Sequence, residues 1–210
     1  MHITSLQKLI SIAGPALGPN VAVDSMNLAS VPDNVRALFA LRNGFFAFES
    51  ALHVFSVCMP DPATSGYDFE TWNSVDLWKS EFGDITCGLC FAEDVFGCQW
   101  FTSGSDIRSF DPETGDYKVV AATIEDWADI VLQNYKLHTA WPLAHNWQTM
   151  NRPLQPNERL VPIKLFVLGG EFAIDNLCAM DAVQGMRYRA EIARQIKDWP
   201  DGTHVKIELK

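Results

Sequence analysis

The sequence predicts an α+β fold in which a central, mostly antiparallel sheet is flanked by helices. Between residues 90 and 121, four short runs alternate bulky apolar residues with polar ones, as expected of strands with one buried face. Gly97, Gly104 and an Asp-Pro-Glu-Thr-Gly-Asp run separate these strands as turns. A helix then begins at Thr123, which is followed three residues later by Asp126 as in a capping box. A meander closed by an amphipathic helix forms one α+β unit.

Further helices and strands are predicted on both sides of this meander. Those before it are a helix over residues 3–13, a helix capped by Ser30 and ending at Asn43-Gly44, strand material over 45–57 with a break near Glu49, and a helix from Asp68 to Gly83. Those after it are a short helix over 142–150, strands over 160–168 and 172–174, the longest helix over 176–198, and a final strand over 204–209.

Composition and charge narrow the class of protein. The chain has 210 residues, of which 48% are hydrophobic, so it can bury a substantial core. It contains no apolar run long enough to span a membrane and no signal-peptide pattern, so we expect a cytoplasmic protein that does not enter a membrane. A net charge of −10 disfavours binding to nucleic acid and favours a basic protein partner. An alternative is that the acidity serves solubility alone.

Pro142, Pro153 and Pro156 mark an internal boundary in the chain. We expect an N-terminal helix and connector over residues 1–29, an α+β core over 30–136, and a strand-helix-strand extension over 137–210. The extension is either an appended subdomain or part of the same domain.

Part of the sequence resembles a known family. The runs FAEDVFGCQWF (91–101), DIRSF (106–110) and IEDWADIVL (124–132), preceded by VPDNVRALFALRNGFFAF (31–48), are similar to the SMI1/KNR4 family. That family belongs to the SUKH superfamily of bacterial immunity proteins. The resemblance covers roughly residues 30 to 135 and implies a protein that neutralises a cognate toxin, often a nuclease, by covering its active site. A regulatory scaffold is also compatible with it, through the fungal members of the family.

No set of residues in the sequence assembles an active site. Cys87 and Cys90 form a Cys-x-x-Cys pair, but no second pair supplies the four ligands of a structural zinc. His138 and His145 could share a helical face, without the glutamate of a metallopeptidase motif. We therefore expect a non-enzyme with no metal and no cofactor. The alternative is a small enzyme that uses these cysteines and histidines for thiol or metal chemistry.

Surface residues are then the candidates for function. Trp is a common anchor of protein interfaces, and carboxylates can pair with basic groups of a partner, although at least half of the tryptophans should be core. The predicted partner-binding residues are Asp68, Glu70, Trp72, Asp76, Asp106, Asp111 and Glu113.

Overall fold

The centre of the molecule is a six-stranded antiparallel sheet whose strands lie side by side in chain order, as predicted. In the computed structural model, which describes residues 3–23, 31–58, 66–83, 88–200 and 202–203, the strands are β1 (Phe45–Ala47), β2 (Leu52–Val54), β3 (Leu89–Asp94), β4 (Gln99–Ser103), β5 (Asp106–Phe110) and β6 (Tyr117–Ala121). The sheet is the meander that the alternating sequence pattern indicates, extended at one edge by the β1–β2 hairpin.

The hairpin turns lie where the sequence places them. Gly97 and Gly104 have φ angles of 76° and 68°, a region that side chains other than glycine rarely adopt. In the β3–β4 turn, the Asp94 carboxylate accepts hydrogen bonds from the backbone N–H groups of Phe96 and Cys98, each at 2.9 Å. This carboxylate therefore holds the turn closed.

Seven α-helices surround the sheet in the described part of the chain. They are α1 (Ser5–Ile12), α2 (Asp33–Leu41), α3 (Phe69–Trp72), α4 (Ile124–Gln133), α5 (Tyr135–His138), α6 (Trp141–Met150) and α7 (Ala182–Ile196). The predicted cap of α4 is confirmed, since the Thr123 hydroxyl accepts a hydrogen bond from the Asp126 N–H at 3.1 Å. Trp127 of α4 packs edge-on against Phe91 and Trp100 of the sheet, and so ties this helix to the core. None of the described helices is long and apolar enough to cross a membrane.

The predicted helix from Asp68 to Gly83 is wrong beyond its first turn. After Trp72 the chain leaves the helix, and a separate 3-10 turn covers Lys79–Phe82. The Asn73 side chain explains the break: it donates to the Cys90 carbonyl and accepts from the Cys90 N–H, at 2.8 and 2.7 Å. These two bonds tie the chain to β3, and Val75 is left 64% exposed instead of lying on an apolar helix face.

The C-terminal part also differs from the prediction in detail. Residues 176–181, predicted as the start of the long helix, include strand β8 (Leu177–Asp181), which pairs with β7 (Glu158–Pro162) in a second sheet. Asp181 ends this strand and caps α7, because its carboxylate accepts the N–H groups of Val183 and Gln184. The predicted strand over 172–174 does not form, and 3-10 turns cover Phe166–Leu168 and Ile174–Asn176.

The second sheet and α7 pack directly on the first sheet. Met186 and Ala190 of α7 belong to the same buried cluster as the sheet residues Phe91 and Phe101. The Leu160 N–H of β7 bonds the Val95 carbonyl of the β3–β4 turn at 2.9 Å. The predicted boundary between residues 136 and 137 falls inside α5. The predicted cap Ser30, the Cys87 thiol and the predicted final strand lie outside the described residues.

Candidate partner-binding surface

The exposed acidic residues predicted to bind a partner lie on two stretches of chain. Asp68, Glu70 and Asp76 belong to the segment around α3, whereas Asp106 and Asp111 lie at opposite ends of β5. Glu70, Asp76 and Asp111 are exposed, and the other two are half-buried. The structure therefore presents these carboxylates at the surface without gathering them into one cluster.

Two of these carboxylates also stabilise local structure. The Asp68 carboxylate accepts the Thr71 N–H at 2.7 Å and so caps α3. The Asp111 carboxylate accepts the Glu113 N–H at 2.8 Å within the β5–β6 turn. Short acidic side chains fulfil this role at helix starts and turns. Their presence in the sequence is therefore explained in part without a partner.

Trp72 and Glu113 cannot meet a partner as the chain is folded. Trp72 is fully buried, and its indole N–H donates to the Gln99 side chain at 2.7 Å. Glu113 is 5% exposed and accepts the Val167 N–H at 2.8 Å, and its burial raises the pKa of this carboxyl. Of the seven tryptophans, five are buried, so the expectation that at least half are core is confirmed.

A buried ion pair joins the two sheets. The Glu93 carboxylate of β3 lies 2.5 Å from the Arg159 guanidinium of β7 and 3.0 Å from Nδ1 of His53 in β2. Burial lowers the pKa of His53 to about 4, although the hydrogen bond with Glu93 opposes that shift. His53 is therefore neutral at physiological pH. All three side chains are at most 2% exposed, so a substrate could reach them only by opening the sheet.

The cysteines and histidines of the alternative enzyme hypothesis are not gathered together in the described part of the chain. Burial raises the pKa values of the Cys98 and Cys178 thiols, which keeps both protonated at neutral pH. His138 ends α5, whereas His145 lies within α6, so the two do not share a helix face. No group of three or more metal-ligating side chains occurs among the described residues.

An aromatic surface that the sequence analysis did not predict lies where the β1–β2 turn meets α6. Phe48 stacks on Tyr135 with ring centroids 4.6 Å apart, Tyr135 meets Trp141 edge-on at 5.6 Å, and Trp141 stacks on His145 at 5.1 Å. All four rings are half-buried. We call these four residues the ring stack. Its members come from three elements, so no periodicity in the sequence reveals them.

The comparisons with known proteins support the fold alone. The sequence matches no family model and no curated protein. Among solved structures, the chain is similar to the crystal structure of Atu4351 from Agrobacterium tumefaciens, with a TM-score of 0.52 and 12% identity over 86% of each chain. A likeness at this identity shows a shared α+β architecture and carries no function with it.

Proposed function

We propose that this protein is a cytoplasmic, non-catalytic binding module, and that it acts as an immunity protein that neutralises a cognate toxin by direct contact. The resemblance of residues 30 to 135 to the SMI1/KNR4 family supports this proposal. So does the placement of the predicted acidic residues, five of which reach the surface.

The distribution of charge carries the proposal. Among the described residues, two arginines, Arg159 and Arg189, are buried, and so are three acidic side chains, Glu93, Asp94 and Glu113. Buried charges of opposite sign therefore nearly cancel, and in the part of the chain that the structure describes the charged groups that reach the surface carry a net negative charge. Such a surface attracts a basic protein over a distance of about one Debye length.

A nuclease toxin is a partner of the right chemistry. Nucleases hold phosphate groups with lysine and arginine, so their substrate-binding surfaces are basic. An acidic protein is steered onto such a surface and can block it. Electrostatic steering acts mainly on the rate of association, which makes that rate the quantity to measure.

The test is a stopped-flow measurement of association between this protein and the toxin encoded by a neighbouring gene. Raising the salt from about 25 mM to about 300 mM shortens the Debye length from roughly 20 Å to roughly 6 Å, and we expect the association rate to fall at least about tenfold. A toxin that stays fully active when mixed with an excess of this protein would contradict the proposal. An association rate that ignores salt would contradict the steering.

Matched charge variants locate the acidic surface. A triple variant, Glu70→Gln with Asp76→Asn and Asp106→Asn, removes three negative charges from the predicted surface. Its control, Glu171→Gln with Asp175→Asn and Asp198→Asn, removes three from exposed positions of the C-terminal part. We expect slower association, about three- to tenfold, in the first variant only. Equal slowing in both would show that overall charge acts without a preferred face.

A further inference from the structure

The ring stack has the composition of an interface anchor. Aromatic side chains supply large contact area at low cost in conformational entropy, and they dominate the binding energy of many interfaces. Leu137, two residues after Tyr135 in α5, is 70% exposed. One end of the ring stack carries the Glu49 carboxylate, which lies 2.6 Å from Nδ1 of His145. An acidic group thus stands at the edge of an aromatic surface.

The β1–β2 turn that brings Glu49 to this position is strained. Phe48, Glu49 and Ser50 have φ angles of 52°, 53° and 67°, although none of them is glycine. Each such residue costs on the order of 1 kcal/mol and persists only where the surroundings impose it. Here α6 imposes it, because Gln148 donates to the Glu49 carbonyl at 2.7 Å and His145 contacts the Glu49 side chain. Backbone strain of this kind is concentrated at functional sites.

A depression lies directly beside the Glu49 carboxylate. It has a volume of about 310 Å³ and is lined by Glu49, His145, Gln148 and Thr149. The side chains of Glu49 and His145 are 52% and 44% exposed, so both are accessible from it. The side chains of all four lining residues can form hydrogen bonds, and Glu49 supplies the one carboxylate among them.

Aromatic rings in this part of the molecule already hold cations of the chain itself. The Lys136 ammonium lies 6.0 Å from the Trp141 ring centroid, and the Arg152 guanidinium lies 6.0 Å from that of Trp147. A guanidinium stacks on aromatic faces and pairs with a carboxylate through two parallel hydrogen bonds, which an ammonium cannot do. Among protein side chains, arginine is therefore the best match for a carboxylate beside half-buried rings.

We infer that Glu49 and the ring stack receive an arginine side chain of a protein partner. The guanidinium pairs with the Glu49 carboxylate in place of His145, and its planar face lies against the face of the His145 ring that Trp141 does not cover. The inference rests on the proposed function, since a basic toxin supplies exposed arginines. The anchor at Glu49 acts by short-range contact with one arginine. The acidic residues around α3 and β5 act instead by long-range attraction.

A small probe tests the anchor without the toxin. The blocked tripeptide acetyl-Gly-Arg-Gly-amide is titrated into the full chain while the indole N–H of Trp141 and the ring protons of His145 are followed by NMR. We expect saturable shifts at millimolar peptide. The same peptide with citrulline, which has the shape of arginine without its charge, should cause none.

Two variants complete the test. Glu49→Gln keeps the size of an exposed side chain and should weaken arginine-peptide binding at least about tenfold, whereas the exposed control Glu171→Gln should leave it unchanged. With the toxin, Glu49→Gln should speed dissociation about tenfold and hardly change association.

Three outcomes contradict parts of this account. NMR shifts that are absent from the wild type, or that are identical with the citrulline peptide, would overturn the anchor. A wild-type complex with the toxin that is as tight in Glu49→Gln would overturn the anchor and leave the proposed function standing. A toxin that the wild type does not bind refutes the proposed function, and the peptide result then decides the anchor alone.

Discussion

Glu93 and Asp94 are consecutive buried residues at the end of β3, yet their carboxyl pKa values move in opposite directions. Burial would raise the pKa of Glu93, but contact with Arg159 and His53 holds it below its ordinary value. Burial raises the pKa of Asp94 from 3.8 to about 7, against two backbone N–H bonds and the more distant charge of Arg189. Only the direct ion pair outweighs the cost of removing a carboxylate from water.

The two buried arginines, Arg159 and Arg189, differ in the same way, since only one of them pairs directly with a carboxylate. Arg159 contacts the Glu93 carboxylate at 2.5 Å. Arg189 instead donates to the carbonyls of Phe96 and Gly185 and spans the β3–β4 turn from α7. Burial lowers the pKa of Arg189, and the surrounding acidic groups only partly offset this. One arginine thus neutralises a carboxylate, and the other fastens a turn.

The largest expected effect comes from breaking the direct pair. Arg159→Met leaves the Glu93 carboxylate buried and unpaired, which should lower the free energy of unfolding by about 3–5 kcal/mol. Urea denaturation followed by tryptophan fluorescence measures this change. Adding Glu93→Gln to this variant should restore part of the loss, because no buried charge then remains unpaired. Arg194→Met, at an exposed position near the end of α7, is the control and should not shift the urea midpoint measurably.

A smaller effect is expected for the other arginine. Arg189→Met leaves the buried Phe96 carbonyl without the arginine donor but leaves Asp94 with both of its N–H bonds, and we expect a loss of about 2–3 kcal/mol. The same denaturation measurement applies. A loss equal to that of Arg159→Met would show that Asp94 depends on Arg189 as strongly as Glu93 depends on Arg159.

The polar neighbour of Glu93 should matter less than either arginine. The Gln99 side chain donates to the Glu93 carboxylate at 3.0 Å and accepts the Trp72 indole N–H at 2.7 Å. Gln99→Leu removes these two bonds and the one that Gln99 donates to the Gly97 carbonyl, all within a closed core, so we expect a loss of about 1–2 kcal/mol. Gln133→Leu, at an exposed position of α4, is the matched control. An unchanged unfolding free energy in Gln99→Leu would mean that Arg159 and His53 alone satisfy Glu93.

The last prediction concerns a slope and not a loss at one pH: it is a change in the pH dependence of stability. Because the folded-state pKa of Asp94 lies above its ordinary value of 3.8, the folded protein binds this proton more tightly than the unfolded chain. The contribution of Asp94 to stability is complete below pH 4 and is lost as the pH rises through about 7. Asp94→Asn keeps a side-chain oxygen that can accept the N–H groups of Phe96 and Cys98. Because asparagine does not ionise, the variant does not lose this stability as the pH rises. Relative to the wild type, its unfolding free energy should rise with pH across this window by at most about 1.4 kcal/mol per pH unit.

His53 provides an internal contrast in the same titration. Its folded-state pKa is about 4, below the ordinary 6.5, so its contribution is present above pH 6.5 and is lost as the pH falls through about 4. In the wild type the slopes of His53 and Asp94 oppose each other over this range. Asp94→Asn should therefore reveal a stability that increases with pH up to about 6.5. A difference between variant and wild type that does not change with pH would show that Asp94 is ionised throughout.

Local sequence signals predicted the meander but not the interior that it encloses. Alternation and turn glycines specify β3 to β6, and Thr123 specifies the start of α4, because each depends on residues a few positions apart. The helix after Asp68 failed for a tertiary reason, since Asn73 bonds Cys90 on a neighbouring strand. Burial of Trp72 likewise depends on strands that lie far along the chain.

The candidate site was predictable only in part for the same reason. Exposed acids such as Asp76 are visible in a sequence, because charged residues are rarely buried. The same rule wrongly predicts that Arg159 and Arg189 are exposed. Both are buried because β3 and the turn after it supply their acceptors. The ring stack joins Phe48 to residues that follow it by roughly 90 to 100 positions, and its strained turn contains none of the glycine or asparagine that usually indicates positive φ.

The partners of Arg159 and Arg189 have a consequence for synthesis on the ribosome. The groups that they satisfy, His53 beside Glu93 and the Phe96 carbonyl, precede them by 106 and 93 positions in the chain. A nascent polypeptide can thus form its first hairpins while the acidic end of β3 still lacks a counter-ion. Completion of the native state must wait until α7 has left the exit tunnel. The acidic end of β3 and the turn after it therefore gain their arginine partners only after residues 159 and 189 have been made, well after the hairpins themselves.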